Sequence, residues 1–315
     1  MNPLFHWLPV AASSSAARSD ALLLALLILC GAMALVLAFL VLLFCIRYRA
    51  GSRASRAHAP SRSRAVEITW TVTPLLLFFG LYGWGAWDYA ALYRAPPDAM
   101  PVFVVAKQWM WTLEHANGRR EIGELHVPLG QPVRLVMTSQ DVIHSFFVPA
   151  FRIKQDVVPG RYTSLWFTPT VAGEYHLFCA EYCGTQHATM RGTIVVMNPA
   201  DFARWLQQGT AQPGMAERGF ELFRRHGCSG CHAAGSSVHA PSLNGLLGRT
   251  VHLQDGSSLV ADENYLRDSI LLPRKDIVAG FKPIMPSFAG QLNESDLLAL
   301  IEYIRSTGHD NNRRP

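Results

Sequence analysis

Cys228-Ser-Gly-Cys231-His232 places two cysteines and a histidine at a spacing that can hold a c-type haem. Cysteines so spaced form thioethers to the two haem vinyl groups, and the adjacent histidine offers a neutral imidazole to the iron. A bare Cys-x-x-Cys pair would equally suit a redox disulfide or half of a zinc site. The immediate histidine argues against both.

A second group of soft ligands lies upstream, in Cys179-Ala-Glu181-Tyr-Cys183-Gly-Thr-Gln-His187-Ala-Thr-Met190, with His144 further back. Two thiolates, two imidazoles and a thioether suit copper better than magnesium or calcium. A mononuclear blue-copper site needs one cysteine; here a second sits four residues from the first. Two thiolates can bridge two copper ions, each then taking one histidine and a weak ligand. The backbone carbonyl of Glu181 lies where one such weak ligand would be. A Cys179–Cys183 disulfide is an alternative outside the cytoplasm. Zinc fits less well, because methionine is a poor zinc ligand. Cys30 and Cys45 fall inside an apolar run and read as inert small hydrophobes.

The elements that must hold these ligands begin with two long apolar runs. Ala21 to Ile46 carries no charge, and Ile68 to Trp87 ends near Asp88. Both reach the ~20 residues of a membrane-spanning helix. The chain has 28 basic and 23 acidic residues, a net +5. Arg47, Arg49, Arg53, Arg56, Arg62 and Arg64 lie in one acid-free run between the two spans, and setting those six aside leaves −1. The basic balance is therefore a local patch, which excludes the basic face spread over a folded domain that nucleic-acid binding needs. The positive-inside rule puts this loop in the cytoplasm and both chain ends outside. Trp84, Trp87, Tyr89 and Tyr93 cluster where interfacial aromatics sit. A cleaved signal peptide is the alternative for the first run, but the run is longer than a signal core and no small-residue cleavage pattern follows it. Covalent haem attachment on the outer side agrees with this topology.

Beyond the membrane, Val102–Ala106, Val133–Met137, Ser164–Phe167, Glu174–Phe178 and Thr193–Met197 read as strands. Asn117-Gly118, Leu129-Gly-Gln-Pro132, Pro159-Gly160 and Ala172-Gly173 are the turn signals between them. Short strands with no long helix predict a β-sandwich or barrel of about 100 residues. Asn198-Pro199 opens a short helix, with Asn198 as N-cap. Gly209 to Gly214 reads as a linker. A helix over Ala216–Arg225 leads into the haem motif, and a last one over Asp296–Arg305, capped by Asn293, puts Leu297, Leu298, Leu300, Ile301 and Ile304 on one face. No internal repeat is present. The resulting divisions are a loose outer-side tail at 1–20, a hairpin at 21–93 (spans about 21–46 and 68–90, loop 47–64), a β-domain at 100–197, a helix and linker at 198–214, a haem domain at 215–308 and a tail at 309–315.

Over residues 66–197 the chain resembles subunit II of the haem-copper cytochrome c oxidases, and over 215–308 a fused class I cytochrome c. The resemblance rests on Ala65-Val-Glu67-Ile-Thr-Trp70-Thr-Val-Thr-Pro74, Gln108-Trp109-Met-Trp111, Asp141-Val-Ile-His144-Ser-Phe, Arg152-Ile-Lys-Gln-Asp156-Val-Val-Pro-Gly160-Arg161 and the cysteine loop. It implies a two-helix transmembrane hairpin, an all-β cupredoxin-like Greek-key domain and an all-α cytochrome c domain. By the same resemblance His144, Cys179, Cys183, His187 and Met190, with the Glu181 carbonyl, ligate a binuclear copper centre of the CuA type. The Glu181 carboxylate is implied in a magnesium site shared with subunit I. Met285, in Lys282-Pro-Ile-Met285-Pro-Ser-Phe, matches the distal haem ligand opposite His232. A thioether there fills the sixth position and raises the iron potential, which makes an electron carrier of the haem.

Trp109 and Trp111 are read on a loop after the first strand, and in the family the first of these aromatics lies over the copper centre as an electron entry point. Met110 interrupts the usual aromatic run. Each tryptophan could equally be an ordinary packed indole. Glu67 matches the glutamate at the mouth of a proton channel shared with subunit I, and could equally be a solvated helix-start residue. His6, His58, His115, His126, His176, His226, His239, His252 and His309 have no partner motif.

What the resemblance implies is the electron-entry subunit of a terminal oxidase in a bacterial inner membrane, with both soluble domains on the periplasmic face. A soluble or membrane-bound cytochrome c, or an upstream cytochrome complex, is its donor. Subunit I holds the oxygen site and couples oxygen reduction to proton pumping, and subunit III is an expected further partner. Two spans without intramembrane histidines cannot build that oxygen site here. The alternatives are a stand-alone electron shuttle or copper-handling protein, or a donor of the nitrous oxide reductase type. A quinol oxidase subunit II would share the fold and lack the copper ligands.

Overall fold

The computed structural model describes residues 8–55, 63–208, 213–233, 236, 238 and 240–308. Helices α1 (Ser14–Arg47) and α2 (Arg64–Leu92) are apolar all round, with mean hydropathies of 3.1 and 1.4 in their most apolar 18-residue windows and none of those residues buried. Surfaces of that length and composition need hydrocarbon rather than water. Leu22, early in α1, packs against Gly85, late in α2. The two helices therefore run antiparallel as a hairpin.

Helix α1 starts seven residues before the expected span, because Ser13 caps it: its Oγ accepts from the Ala16 N–H at 3.1 Å. The expectation of a loose tail through residue 20 is corrected here. Ala12 and Ala16 are fully buried, Ala12 N donates to Ala150 O at 2.9 Å, and Ser13 Oγ donates to Phe151 O at 2.8 Å. Arg152 then closes a two-point ion pair on Asp20, at 2.9 and 3.0 Å. This stretch straps the first helix to the β-domain. The ends at 1–7 and 309–315, residues 56–62 of the basic run and the 209–212 part of the expected linker lie outside the described residues.

The β-domain is a sandwich of two five-stranded sheets. One runs β3 (Arg120–Ile122), β2 (Met110–His115), β1 (Met100–Lys107), β5 (Val133–Ser139), β8 (Thr163–Phe167). The other runs β4 (Glu124–Pro128), β10 (Arg191–Met197), β9 (Gly173–Cys179), β6 (His144–Val148), β7 (Ile153–Val157). Pairing is antiparallel except β1 with β5 and β4 with β10. Val102, Val104 and Ala106 of β1 point into the sandwich core. The alternate residue Phe103 is also buried, but against the C-terminal domain. Trp111 departs from expectation: it lies in β2, not on a loop, and is fully buried. Its burial removes it as a surface entry point. Trp109, in the β1–β2 turn, keeps partial exposure.

Helix α3 (Pro199–Gln207) follows Asn198, whose side chain makes no capping bond. The C-terminal domain then contains α4 (Met215–Arg225), α5 (Ser229–His232), α6 (Glu263–Leu271) and α7 (Glu294–Thr307). It is not purely helical, since β11 (Thr250–His252) and β12 (Ser258–Val260) form an antiparallel hairpin. Asn293 Oδ1 caps α7 by accepting from Asp296 N at 2.9 Å. All five residues expected on the buried face of α7 are buried. Helix α4 crosses α7 at Gly219, where a Cβ would come within 2.0 Å of Ala299 O, so no other residue fits.

The two soluble domains share a continuous apolar core: Phe103, Val136 and Tyr162 of the sheet pack with Met215, Leu297 and Leu298. Polar bonds frame it. Glu114, 5% exposed, accepts from Arg218 Nη1 at 2.6 Å and Arg120 Nη2 at 3.0 Å. Arg134 pairs with Glu263 at 2.8 Å, and the Tyr162 N–H donates to Asn264 Oδ1 at 2.7 Å.

Candidate metal centres

Three loops at one end of the sandwich bring the soft ligands together. His144 opens β6, Cys179 closes β9, and Cys183, His187 and Met190 lie on the loop into β10. Cys179 Sγ lies 3.8 Å from Cys183 Sγ, which is too far for the ~2.05 Å of a disulfide. His144 Nδ1 is 3.9 Å from Cys179 Sγ, and His187 Nδ1 is 3.5 Å from Cys183 Sγ. Met190 Sδ is 3.9 Å from Cys183 Sγ, and the Glu181 carbonyl oxygen 3.3 Å from Cys179 Sγ. Each sulfur thus has its own imidazole and its own weak donor. His144, Cys179, Cys183 and Met190 are buried, whereas the Glu181 side chain is exposed.

Burial opposes ionisation of Cys179, yet the His144 imidazole and the backbone at Glu181 and Ser145 pull its thiol down to about 6. Burial, with the charge of Cys179 beside it, pushes Cys183 up to about 12. One thiolate is therefore stable at neutral pH and the second is not, unless a cation joins the pair. This donor set fits soft metal ions.

Sequence reasoning assigned no role to Asp141 or Gln108, and read Trp109 and Trp111 as electron-entry residues rather than as residues that orient this cluster. Asp141 accepts from His144 Nε2 at 2.9 Å and from the Gln108 N–H at 2.7 Å, so the imidazole turns Nδ1 toward Cys179. Gln108 Nε2 and Trp109 Nε1 both donate to Cys183 O, at 2.8 and 3.1 Å, and hold the cysteine loop. Trp111 stands edge-on to His144, with ring centroids 6.1 Å apart. Gln108-Trp109-Met-Trp111 and Asp141-Val-Ile-His144, two of the segments that carry the resemblance, contain all four of these residues.

In the C-terminal domain Cys228 and Cys231 flank the start of α5 and face a cleft lined by Phe223, Tyr265, Ile270, Met285, Leu300 and Ile304. His232 donates from Nδ1 to Pro241 O at 2.9 Å, which leaves Nε2 free as a ligand atom. Met285 lines the same cleft as His232. An apolar cleft with two thiols, one oriented imidazole and one thioether fits a covalently held porphyrin. Burial raises the Cys228 thiol. Cys30 and Cys45 are exposed on α1, and Glu67 is exposed in the first turn of α2.

Among the histidines left without a role, His6, His58, His239 and His309 lie outside the described residues. His115 and His126 have a partner that spacing did not suggest. Glu121 meets His115 Nε2 at 3.1 Å and His126 Nδ1 at 2.6 Å. Burial alone would raise its carboxyl, but the two imidazoles and the His126 N–H hold it down at about 2, against an ordinary 4.5. A depressed carboxylate stabilises the fold above its unfolded value, and that stability is lost as pH falls from 4.5 toward 2. The expected contribution is roughly 3 kcal/mol. Urea unfolding of the wild type should weaken across that window, and Glu121→Gln should flatten the profile.

Residues 121–198 match the family described as cytochrome C oxidase subunit II, periplasmic domain, and residues 216–308 match the family described as cytochrome c. Cytochrome c oxidase subunit 2 of Alkalihalophilus pseudofirmus is 29% identical over 259 residues, which cover 77% of this chain and 73% of that protein. Alternative cytochrome c oxidase subunit 2 of Bradyrhizobium diazoefficiens is 33% identical over 154 residues, covering 39% of this chain and 56% of that protein. The crystal structure of the periplasmic domain of subunit II of cytochrome oxidase from Bradyrhizobium japonicum aligns at 29% identity with a TM-score of 0.35, covering 36% of this chain and 95% of that one.

Proposed function

We propose that this chain, which joins a periplasmic domain of cytochrome c oxidase subunit II to a cytochrome c domain, is the electron-entry subunit of a proton-pumping terminal oxidase in a bacterial inner membrane. Subunit I supplies the oxygen site, subunit III is a further partner, and cytochrome c or an upstream cytochrome complex is the donor. Both soluble domains face the periplasm, beyond the two-helix hairpin. The observation that carries this reading is the pairing of Cys179 and Cys183 at 3.8 Å, each with one imidazole Nδ1 beside it.

His144, Cys179, Cys183, His187, Met190 and the Glu181 carbonyl would hold a binuclear copper centre. Cys228, Cys231, His232 and Met285 would hold haem c. When bound, both groups take up and release single electrons without binding a substrate. The protein's part is to fix their ligands and keep them dry. Asp141 sets the tautomer and plane of His144, and Trp111 with Phe146 excludes water behind it. Gln108 and Trp109 restrain the cysteine loop from the outer side. Partly exposed Trp109 touches the Cys183 carbonyl and gives a donor a surface above the cluster. Pro241 orients His232 in the same way. The exposed Glu181 carboxylate is free to join a magnesium ion with subunit I, and exposed Glu67 to pass protons to it.

Metal counts with an electron paramagnetic resonance spectrum on the detergent-purified chain test this reading. The expected result is two coppers per haem iron, with hyperfine structure from one electron shared by both coppers. A single-copper signal, or oxidised Cys179 and Cys183 without copper, would overturn it.

Met285→Ala provides a separate check on the haem site. The haem stays attached through Cys228 and Cys231, but its midpoint potential should fall by on the order of 0.1 V or more, within the ~0.8 V range that axial ligands command. Carbon monoxide should bind the opened sixth position. An unchanged potential with no carbon monoxide spectrum would assign Met285 to packing alone.

A further inference from the structure

We propose that Glu121, Glu124 and His126 form a binding site for a borderline divalent cation of the zinc class, separate from the copper cluster. One ligand atom from each of the three lies within 4.8 Å of the others. Backbone geometry builds this arrangement. Gly123, at a φ of 68°, turns the chain sharply from β3 into β4 and brings Glu121 over the face of β4. Glu124 and His126 are two residues apart on β4 and so share that face.

Glu121 Oε2 and His126 Nδ1 are hydrogen-bonded at 2.6 Å, and an ion entering between them needs the pair to open to roughly 3.3–3.4 Å, the spacing of two ligands each about 2.0–2.1 Å from one tetrahedral ion. The opposite oxygen, Oε1, is held by His115 Nε2 and by the His126 N–H, both at 3.1 Å. His115 therefore serves as the outer partner that orients a ligating carboxylate. Helix α3 fixes the second imidazole: the Trp205 ring stacks on His126 with centroids 4.4 Å apart and planes 21° apart, and the Arg119 guanidinium lies over the Trp205 ring, 3.6 Å from its centroid. Glu124 is exposed and makes no ion pair among the described residues. Two carboxylates thus converge with imidazoles, and neither pairs with a Lys or Arg side chain among the described residues, an arrangement that a cation relieves. Nitrogen and carboxylate oxygen without sulfur select zinc or a similar ion over copper(I), and over the oxygen-only sites of calcium. On binding, His126 gives Nδ1 to the ion and carries its proton on Nε2.

The test uses the full-length chain with haem in place and its copper sites filled, so that zinc cannot enter the cysteine cluster. After equilibration with micromolar zinc, the wild type should retain one zinc per haem iron. Zinc should also raise its unfolding midpoint, because it binds only the folded state. Glu124→Gln changes an exposed residue and should leave the zinc-free midpoint unchanged, while weakening zinc binding by roughly tenfold or more. Zinc that fails to bind the wild type overturns the proposal, as does equal zinc affinity in Glu124→Gln. His126→Gln should abolish retention altogether, and retained zinc in that variant would also refute the site.

Discussion

On the proposed reading, Cys183→Ser should leave a single copper per chain and lower cytochrome c oxidation by the assembled oxidase more than a hundredfold. Changes to the outer partners of a metal ligand cost roughly 10–100-fold, and on the proposed reading this one would remove a ligand itself. The serine hydroxyl does not ionise in a site where burial already pushes the native thiol up to about 12. The other thiol, drawn down to about 6 by His144, keeps one imidazole and one carbonyl and can still hold a single ion. The spectrum should therefore change from a shared-electron signal to that of one isolated copper. Haem c absorbance should be unaffected, because Cys228 and Cys231 sit in a different domain. Cys45→Ser, on the exposed surface of α1, is the control and should change nothing. Two coppers retained in Cys183→Ser would rule out a bridging thiolate.

The chemistry was more legible in the sequence than the architecture that supports it. Cys228-Ser-Gly-Cys231-His232 and the Cys179–Met190 loop are local patterns, and one turn or loop suffices to gather each. Strands β1, β5, β8, β9 and β10 carry apolar runs strong enough to read. Strands β2, β3, β4, β6 and β7 are shorter or carry charged and polar residues such as Glu114, Glu121, Lys154 and Asp156, and their periodicity is diluted. Trp111 was misplaced for that reason, since the strand that buries it follows the preceding one after a two-residue turn.

Contacts between distant segments left no mark at all. The Ser13–Phe151 strap and the Arg152–Asp20 pair join residues more than 130 positions apart. His115, Glu121 and His126 have the spacing of no metal motif, and only the Gly123 corner brings their side chains together. The extra hairpin in the haem domain, β11 with β12, is three residues a strand and too short for a periodic signal.

Glu114→Ala should loosen the haem domain from the copper domain. The carboxylate is 5% exposed and sits under two guanidinium groups, one from the neighbouring strand and one from α4. Arg120 is cross-strand from Glu114 and 45% exposed, so it can turn to water when its partner is lost. Arg218 is 23% exposed and bonded to Ser295 of α7, so much of its charge stays buried and uncompensated. Breaking a buried pair from one side costs about 3–5 kcal/mol, and partial escape by Arg120 lowers that to about 3. For a domain of this size such a loss corresponds to about 10 °C or more in melting temperature. In the wild type the core shared by Phe103, Val136, Tyr162 and Met215 makes the two domains one cooperative unit, so haem and copper absorbance should melt together. In Glu114→Ala the haem signal should be lost first, while the copper signal keeps its original midpoint. Haem-to-copper electron transfer in that variant should also slow and become salt-dependent, because the remaining Arg134–Glu263 pair across the interface is partly exposed and screened. Coincident transitions in both proteins would show that the apolar contact alone holds the domains, with Glu114 contributing only to its own strand.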